Sequence, residues 1–344
     1  MRGLVRPWWL PRWSGGPALP GGALLVAVVV SLMHGQPPPV DRPVGVSIPV
    51  RSSDATPVGL GRLTVVSGGR ALRVDPLERR STAISLPAGA RVLDVVAGHR
   101  AQALLVRFPS GRTVCYLVPA AGGAIRLGDA RAVVPDTSNQ LFWLDTGDQV
   151  RAYLLDGVPA GPRVAVPEGF VPVGGVHGQI IASSAGEEPQ TLLLSESGRR
   201  EVLFAGQALD VAGGVVLLRM GNQLAVFDLR SGELTRLPSL SAVRITGPGR
   251  LAGDGAGFAV LGRVNDHAQL VIGPIAPRSE AELQVVSLDG GAPLPYPPAA
   301  SWTGNGSVLA VRPDGRLVFF TPGRRNGVVL DGSLPAVSGV ALAG

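Results

Sequence analysis

Short apolar runs dominate the chain from about residue 60 onward. They consist mainly of Val, Leu and Ile, and Gly, Pro, Asp-Gly or Ser-Gly separates them. The runs recur about every 8 to 12 residues, a spacing typical of antiparallel all-β architecture. No stretch of more than about ten residues keeps a helical period without a Gly or Pro. The pattern therefore predicts an all-β fold, with no helices beyond the N-terminal segment.

A short motif recurs within this apolar region. Residues 93–98 have the sequence LDVVAG and residues 209–214 have LDVAGG. The glycines at 98, 175 and 213 lie about two repeats and then one repeat apart. Each copy precedes an apolar strand and a Gly-containing hairpin turn, such as the Ser-Gly at 110–111. Four strands in about 40 residues is the period of a β-propeller blade.

The repeats can be assigned to blades along the chain. They predict blades at residues 92–129, 131–167, 170–207, 208–240, 243–298 and 299–334. The fifth of these is long, which predicts an insertion near residues 265–281. Residues 60–90 supply only three strands, but the chain ends with GVALAG at 339–344, which aligns with the motif. We therefore expect a seven-bladed β-propeller closed by the C-terminal strand, because closure removes free sheet edges.

The N-terminal part has a different pattern. No residue between Arg12 and Asp41 is charged. Residues 15–35 approach the roughly 20 apolar residues that a membrane-spanning helix needs. Three arginines and no acidic residue precede this segment, so the N-terminus is expected in the cytoplasm and the remainder outside. The early tryptophans suit the headgroup boundary: Trp8, Trp9 and Trp13.

This pattern gives the predicted domain organisation. A cytoplasmic Arg/Trp stub at 1–14 precedes one N-terminal transmembrane helix at 15–35, or an uncleaved signal. A Pro-rich linker follows at 36–58, since its consecutive prolines favour extended polyproline II. The propeller occupies 59–344. A cleaved secretory signal is the alternative, although residues 31–35 contain no A-x-A cleavage pattern.

Composition narrows the classes of partner. All 31 basic residues are arginine, against 25 acidic residues, and the absence of lysine suggests a codon bias. No Arg-rich run with interleaved aromatics occurs, so no nucleic acid partner is expected. The only cysteine, Cys115, excludes an intramolecular disulfide and Cys-based zinc sites. Its apolar neighbours predict a buried strand position.

Two hairpins resemble those of known propellers. Residues 224–237, LAVFDLRSGELTRL, resemble the repeat of quinoprotein-dehydrogenase-like propellers, in which an apolar strand ends in Asp-x-x-Thr/Ser-Gly. The Pro-Asp-Gly turn at 313–315 is similar to turns of TolB-like and WD40-like propellers. The resemblance implies this superfamily and no specific family. Those dehydrogenases hold pyrroloquinoline quinone against adjacent cysteines and a tryptophan floor, so that cofactor is not expected here.

Six residues are candidates for ligand binding in the channel or at its rim. They are Asp94, His99, Asp136, His177, Asp210 and Asp254. The first and fifth occupy equivalent inner-strand positions, and both histidines directly follow inner strands. Such carboxylates bind a cation or act as an acid–base pair; alternatively, they cap backbone amides at blade junctions. No catalytic residue is assigned and no cofactor is predicted, with Ca²⁺ as the candidate cation.

Two functions are compatible with these features. The first is a membrane-anchored, extracytoplasmic binding or scaffold module of the bacterial cell envelope, with a protein partner or an envelope ligand. The second is an envelope hydrolase or lyase that uses the channel carboxylates, with or without Ca²⁺. The sequence contains no serine nucleophile elbow, phosphate-binding loop or His-Glu-x-x-His motif. This absence favours the binding module.

Overall fold

The computed structural model divides the chain into two units, residues 1–40 and 41–344. It describes residues 46–48, 50–53, 63–75, 80–98, 100–120, 122–136, 140–195, 197–240, 242–265, 267–288, 300–302, 306–312, 314–321, 327–330 and 337–342. The predicted stub, the predicted transmembrane helix and His99 lie outside these residues. Within them, no helix is long and apolar enough to cross a membrane.

The described part consists almost entirely of β-strands. They are β1 (Val46–Ile48), β2 (Val50–Ser53), β3 (Leu63–Ser67), β4 (Arg70–Asp75), β5 (Arg80–Ala83), β6 (Arg91–Ala97), β7 (Ala101–Arg107), β8 (Thr113–Pro119), β9 (Ile125–Asp129), β10 (Ala132–Asp136), β11 (Leu141–Asp145), β12 (Gln149–Leu154), β13 (Pro159–Ala165), β14 (Phe170–Val176), β15 (Gln179–Ser184), β16 (Gln190–Leu194), β17 (Arg200–Ala205), β18 (Gln207–Ala212), β19 (Val215–Met220), β20 (Gln223–Asp228), β21 (Leu234–Arg236), β22 (Arg244–Leu251), β23 (Gly257–Val264), β24 (His267–Pro274), β25 (Gln284–Ser287), β26 (Ala300–Trp302), β27 (Val308–Val311), β28 (Leu317–Phe320), β29 (Gly327–Leu330) and β30 (Val337–Leu342). A 3₁₀ turn at Glu280–Glu282 is the only helical element of the described residues. The all-β prediction is confirmed.

The strands form antiparallel four-stranded meanders that follow one another along the chain. These are β6–β9, β10–β13, β14–β17, β18–β21, β22–β25 and β26–β29, and a further sheet combines β30 with β3–β5. The second and third meanders join into one sheet through a single parallel bridge between Asp136 and Gly175. The ends of the meanders lie within four residues of those of the predicted repeats, except that the fifth meander ends at Ser287, whereas its repeat was predicted to extend to residue 298.

The hydrophobic core lies between adjacent sheets. The second and third strands of a meander are apolar on both faces, as in β7 and β19, because a neighbouring sheet covers each face. One cluster joins Leu217 of β19 to Val260 of β23 in the next sheet. Cys115 lies in β8 and is fully buried, as its apolar neighbours predict.

The first strand of each meander contacts the first strand of the next; we call these the inner strands. In order of contact they are β30, β6, β10, β14, β18, β22 and β26, and the last of them contacts β30 again. The C-terminal strand β30 pairs antiparallel with β3, from Leu63 opposite Leu342 to Val66 opposite Gly339. The pairing expected between the C-terminal strand and the first sheet is therefore present.

Two segments differ from the expectation. The predicted insertion near residues 265–281 is mostly regular structure, because β23 and β24 form a long hairpin that pairs up to Val264 opposite His267. Residues 46–53, expected to be linker, form β1 and β2. These two strands pair in parallel with the outer strands β25 and β29.

Candidate functional site

Several inner strands have a local irregularity that determines where their polar residues lie. The pairing register shifts between Val92 and Asp94 in β6, and between Ala208 and Asp210 in β18. A β-bulge of this kind bends a strand and changes the direction of the following side chain. Asp94 and Asp210 therefore follow the same irregularity in two different sheets and occupy equivalent positions.

Asp94 is exposed to solvent, and its carboxylate accepts one hydrogen bond from the described residues. One of its carboxylate oxygens, Oδ1, accepts a hydrogen bond from the Val95 N–H at 2.8 Å. The other oxygen accepts none from the described residues. The surrounding protein still displaces enough water that burial raises the pKa of Asp94, while the Val95 N–H and the charge of Arg250 act in the opposite direction. Asp94 is thus an accessible carboxylate whose pKa lies above its ordinary value.

Asp210 is half-buried and forms a hydrogen bond with the neighbouring sheet. Its Oδ2 accepts a hydrogen bond from the Leu251 N–H of β22 at 2.7 Å. Burial raises the pKa of Asp210, whereas the charge of Arg250 and the N–H groups of Leu251 and Val211 lower it. This carboxylate caps a backbone amide between two inner strands.

Arg250 was not identified in the sequence, yet its charge acts on both carboxylates. It lies on β22, is exposed, and donates a hydrogen bond from Nη1 to the carbonyl oxygen of Gly249 at 3.1 Å. The only sequence signal was its position on an inner strand directly before Leu251. We call Asp94, Asp210 and Arg250 the inner-strand cluster.

The other candidate residues have local roles. Asp136 is 1% exposed and accepts hydrogen bonds from Trp143 Nε1 at 3.4 Å and from the Gly178 N–H at 3.1 Å. Asp254 is exposed and accepts a hydrogen bond from the Ala256 N–H, as an aspartate does in an Asx turn. His177 is exposed in the turn after β14, with φ of 50°. These three residues belong to turns and sheet junctions.

The recurring glycines are explained by close contact between neighbouring sheets. A Cβ atom on Gly98 would overlap the ring of Phe142. A Cβ atom on Gly175 would lie 2.5 Å from Trp143 Nε1. One on Gly213 would lie 2.5 Å from backbone atoms of the next sheet. The glycine repeat therefore reflects packing of the inner strands.

Two further observations concern the cysteine and the metal-ligating residue types. Burial raises the pKa of Cys115 to about 12, so its thiol stays protonated. Within the described ranges, no group of three or more His, Cys, Asp or Glu residues is arranged to hold a metal ion.

Solved structures with little sequence similarity match this one, two of them with a TM-score of 0.50 or more. A functionally unknown protein from Desulfotomaculum acetoxidans matches with a TM-score of 0.55 and 12% identity, covering 82% of this chain and 99% of that chain. Hsv2 from Kluyveromyces lactis matches with a TM-score of 0.50 and 13% identity, covering 68% and 74%. TolB from Acinetobacter baumannii gives a TM-score of 0.49 and 15% identity, covering 83% and 68%. At such identities the likeness concerns the fold alone.

Successive four-stranded meanders whose inner strands contact one another are the architecture of a propeller. The chain is a β-propeller. The propeller fold expected from the resemblance to TolB-like and quinoprotein-dehydrogenase-like repeats is confirmed, as a fold alone. No specific family is indicated, since no family profile and no curated protein sequence matches the chain.

Proposed function

We propose that this protein is a binding module: a seven-bladed propeller held at the outer face of the cell membrane by its N-terminal segment. The closed succession of contacts among the inner strands, from β30 through β26 and back to β30, supports the seven-bladed arrangement. The inner strands of such a ring surround a central channel. The inner-strand cluster would then face this channel.

One observation carries the binding function. Asp136 and Asp210 are withdrawn from solvent and accept N–H groups from elsewhere in the protein. Asp94 and Asp254 are both exposed and each accepts one nearby N–H group, but only Asp94 belongs to the inner-strand cluster, where the charge of Arg250 acts on it. A free carboxylate with a guanidinium nearby suits a ligand that carries a positive group and a further polar or anionic group. We therefore propose Asp94 as the main contact for the positive group, with Arg250 orienting the remainder of the ligand.

A thermal-shift series on the full chain in detergent tests this site. The compounds are Ca²⁺, Zn²⁺, primary amines, quinone cofactors and envelope saccharides. A ligand at about 100 times its dissociation constant adds roughly 2.7 kcal/mol to the free energy of unfolding. We expect a cationic compound to raise the melting temperature at neutral pH. Because the pKa of Asp94 is raised, the shift should shrink as the pH falls through that value and the carboxylate is protonated.

Two substitutions complete this experiment. Asp94→Ala should abolish the shift, while Asp254→Ala, at an exposed Asx turn outside the cluster, should retain it. A shift that survives in Asp94→Ala would place the ligand elsewhere and contradict the assignment of Asp94.

The proposed membrane location is tested separately. It rests on the uncharged segment at 15–35 and the arginines that precede it. We expect the full chain, expressed in a bacterial host, to sediment with membranes and to resist carbonate extraction. A C-terminal tag should become protease-sensitive once the outer barrier is opened, before the cytoplasmic membrane is broken. Recovery of the chain in the soluble fraction, or a tag protected until lysis, would contradict the anchored topology.

An enzymatic role is the second candidate, and one observation favours it. Burial raises the pKa of both Asp94 and Asp210, as expected for carboxylates that donate or accept protons near neutral pH. An enzyme would consume the compound that raises its melting temperature, and Asp94→Asn would stop this turnover while the variant stays folded. A binding module would leave the compound unchanged.

A further inference from the structure

The outer edges of two propeller blades already accept additional strands. β1 pairs in parallel with β25, from Val46 opposite Gln284, and β2 pairs in parallel with β29, from Val50 opposite Gly327. An extended segment of this chain thus adds to blade edges through backbone hydrogen bonds. This is the mode by which extended peptides of other proteins bind exposed sheet edges.

The remaining outer strands in the described part of the chain differ in how well they are protected from such addition. β21 has three residues, and β13 contains two prolines, which cannot donate backbone hydrogen bonds: Pro159 and Pro162. β5 has four residues, all exposed. β9 carries an ion pair between Arg112 and Asp129 at its end, 2.7 Å long. β17 is six residues long, contains no proline, and pairs regularly with β16 from Arg200 to Val202, after which the register shifts.

The backbone of β17 presents free hydrogen-bonding groups outward. The Ser195 N–H donates to the carbonyl oxygen of Arg199, which makes this pair a hydrogen-bonded one. Hydrogen-bonded and non-hydrogen-bonded pairs alternate along an antiparallel ladder. The pair of Leu193 with Glu201 is then hydrogen-bonded. The N–H groups of Arg200 and Val202 therefore point away from β16, toward the open edge.

The side chains at this edge indicate the chemistry of a partner. Val202 is 64% exposed, the highest value among the large hydrophobic residues of the described chain that are classed as exposed. Arg200 is also exposed, and it makes no ion pair within the described part of the chain. Residues two apart in a strand share one face, so these two side chains lie on the same face. An added strand would place one residue opposite each of them.

We infer that β17 is a docking edge for an extended segment of a partner protein, with a carboxylate residue opposite Arg200 and a β-branched apolar residue two positions away, opposite Val202. The backbone N–H groups of Arg200 and Val202 supply hydrogen bonds to the segment. The carboxylate pairs with the exposed guanidinium, and the apolar side chain covers the exposed valine. Cross-strand pairs of both kinds are favourable on a shared face. This edge is separate from the inner-strand cluster.

The docking edge can be tested with a fluorescent peptide of sequence TDTVTDTV, in which each Asp stands two residues before a Val. Its binding to the full chain in detergent is measured by fluorescence anisotropy. Val202→Pro removes one outward N–H and leaves the bonds to β16, so it should raise the dissociation constant by about tenfold. Val202→Thr, the matched control, keeps that N–H and should stay within about twofold of the wild type. The same peptide with N-methylated backbone amides should not bind.

Charge reversal gives a second readout if Val202→Pro fails to fold. Arg200→Glu should weaken binding of the acidic peptide by about fivefold. The variant should bind the basic peptide TKTVTKTV more tightly than the acidic one. Asp94→Ala should leave peptide binding unchanged, which separates this edge from the proposed channel site. The inference would be overturned if the N-methylated peptide bound as tightly as the unmodified one. It would also be overturned if the wild type bound the acidic and the basic peptide equally well. A dimer in light scattering that Val202→Pro converts to monomer would overturn it too, since the occupant would then be a second copy.

Discussion

Removal of residues 337–344 is expected to lower the melting temperature of the full chain by about 10 °C or more. The deletion removes β30, the inner strand of the first blade, and exposes the edge of β3 along its whole length. It also removes four side chains with at most 5% exposure: Val337, Val340, Ala341 and Leu342. Full burial of one Val or Leu side chain contributes about 1.5–3 kcal/mol, and a whole domain has a net stability of about 5–15 kcal/mol.

Thermal unfolding followed by far-UV circular dichroism measures this effect. A control truncation removes residues 343–344 only, beyond the end of β30, and should melt within about 2 °C of the full chain. The longer deletion should also broaden the transition, because the opened propeller loses contacts of β30 with both β6 and β26. If both truncated chains melted like the full one, the C-terminal strand would not close the propeller.

The repeat pattern accounts for how much of the fold could be predicted. Because short apolar strands and Gly turns are local features of the sequence, they predict the four-stranded meanders and nearly all of the meander boundaries. One of those turns shows the mechanism: Asp228, in the Asp-x-x-Ser-Gly motif, accepts the N–H groups of Arg230 and Ser231. These bonds, that of Ser231 first, lower the pKa of Asp228. The C-terminal strand was predictable because its sequence repeats the inner-strand motif.

The added strands were not predictable from the same pattern. Residues 46–53 contain a proline between two short segments, and the second of them, Val50–Ser53, is mostly polar, so the pattern resembles a linker more than a strand. Their structure depends on the edges of β25 and β29, which lie more than two hundred residues away in sequence. Local propensity carries no information about such a partner. The long hairpin of β23 and β24 is a local pairing and was missed for another reason: no glycine or proline lies between Val264 and His267 to mark a turn in the sequence.

The candidate site was predictable only in part, for a related reason. Equivalent positions of Asp94 and Asp210 followed from the repeated motif. Their different roles did not, because Asp210 meets the Leu251 N–H of another sheet and Asp94 meets no such group in the described structure. Arg250 belongs to no motif, and only the arrangement of the inner strands brings its charge near both carboxylates.

Gly213→Ala is expected to lower the free energy of unfolding by about 2–4 kcal/mol, from a left-handed backbone and an overpacked contact together. The residue has φ of +59°, and a Cβ atom there would lie 2.5 Å from the backbone carbonyl of Asp254 and 2.6 Å from the amide nitrogen of Gly255. Backbone atoms in a packed turn cannot move aside as a flexible side chain can. The two neighbouring blades would have to separate.

Gly214→Ala is the matched control for this substitution. Gly214 lies in the same turn with φ of +79°, but a Cβ atom there would meet nothing within 4 Å. Gly214→Ala should therefore lower the free energy of unfolding by only about 1 kcal/mol, from the left-handed backbone conformation alone. Denaturant unfolding of both variants measures the difference, which isolates the contact between blades from the backbone preference of the turn. Equal losses would mean that the blades do not approach closely at Gly213, and the packing explanation of the glycine repeat would then be wrong.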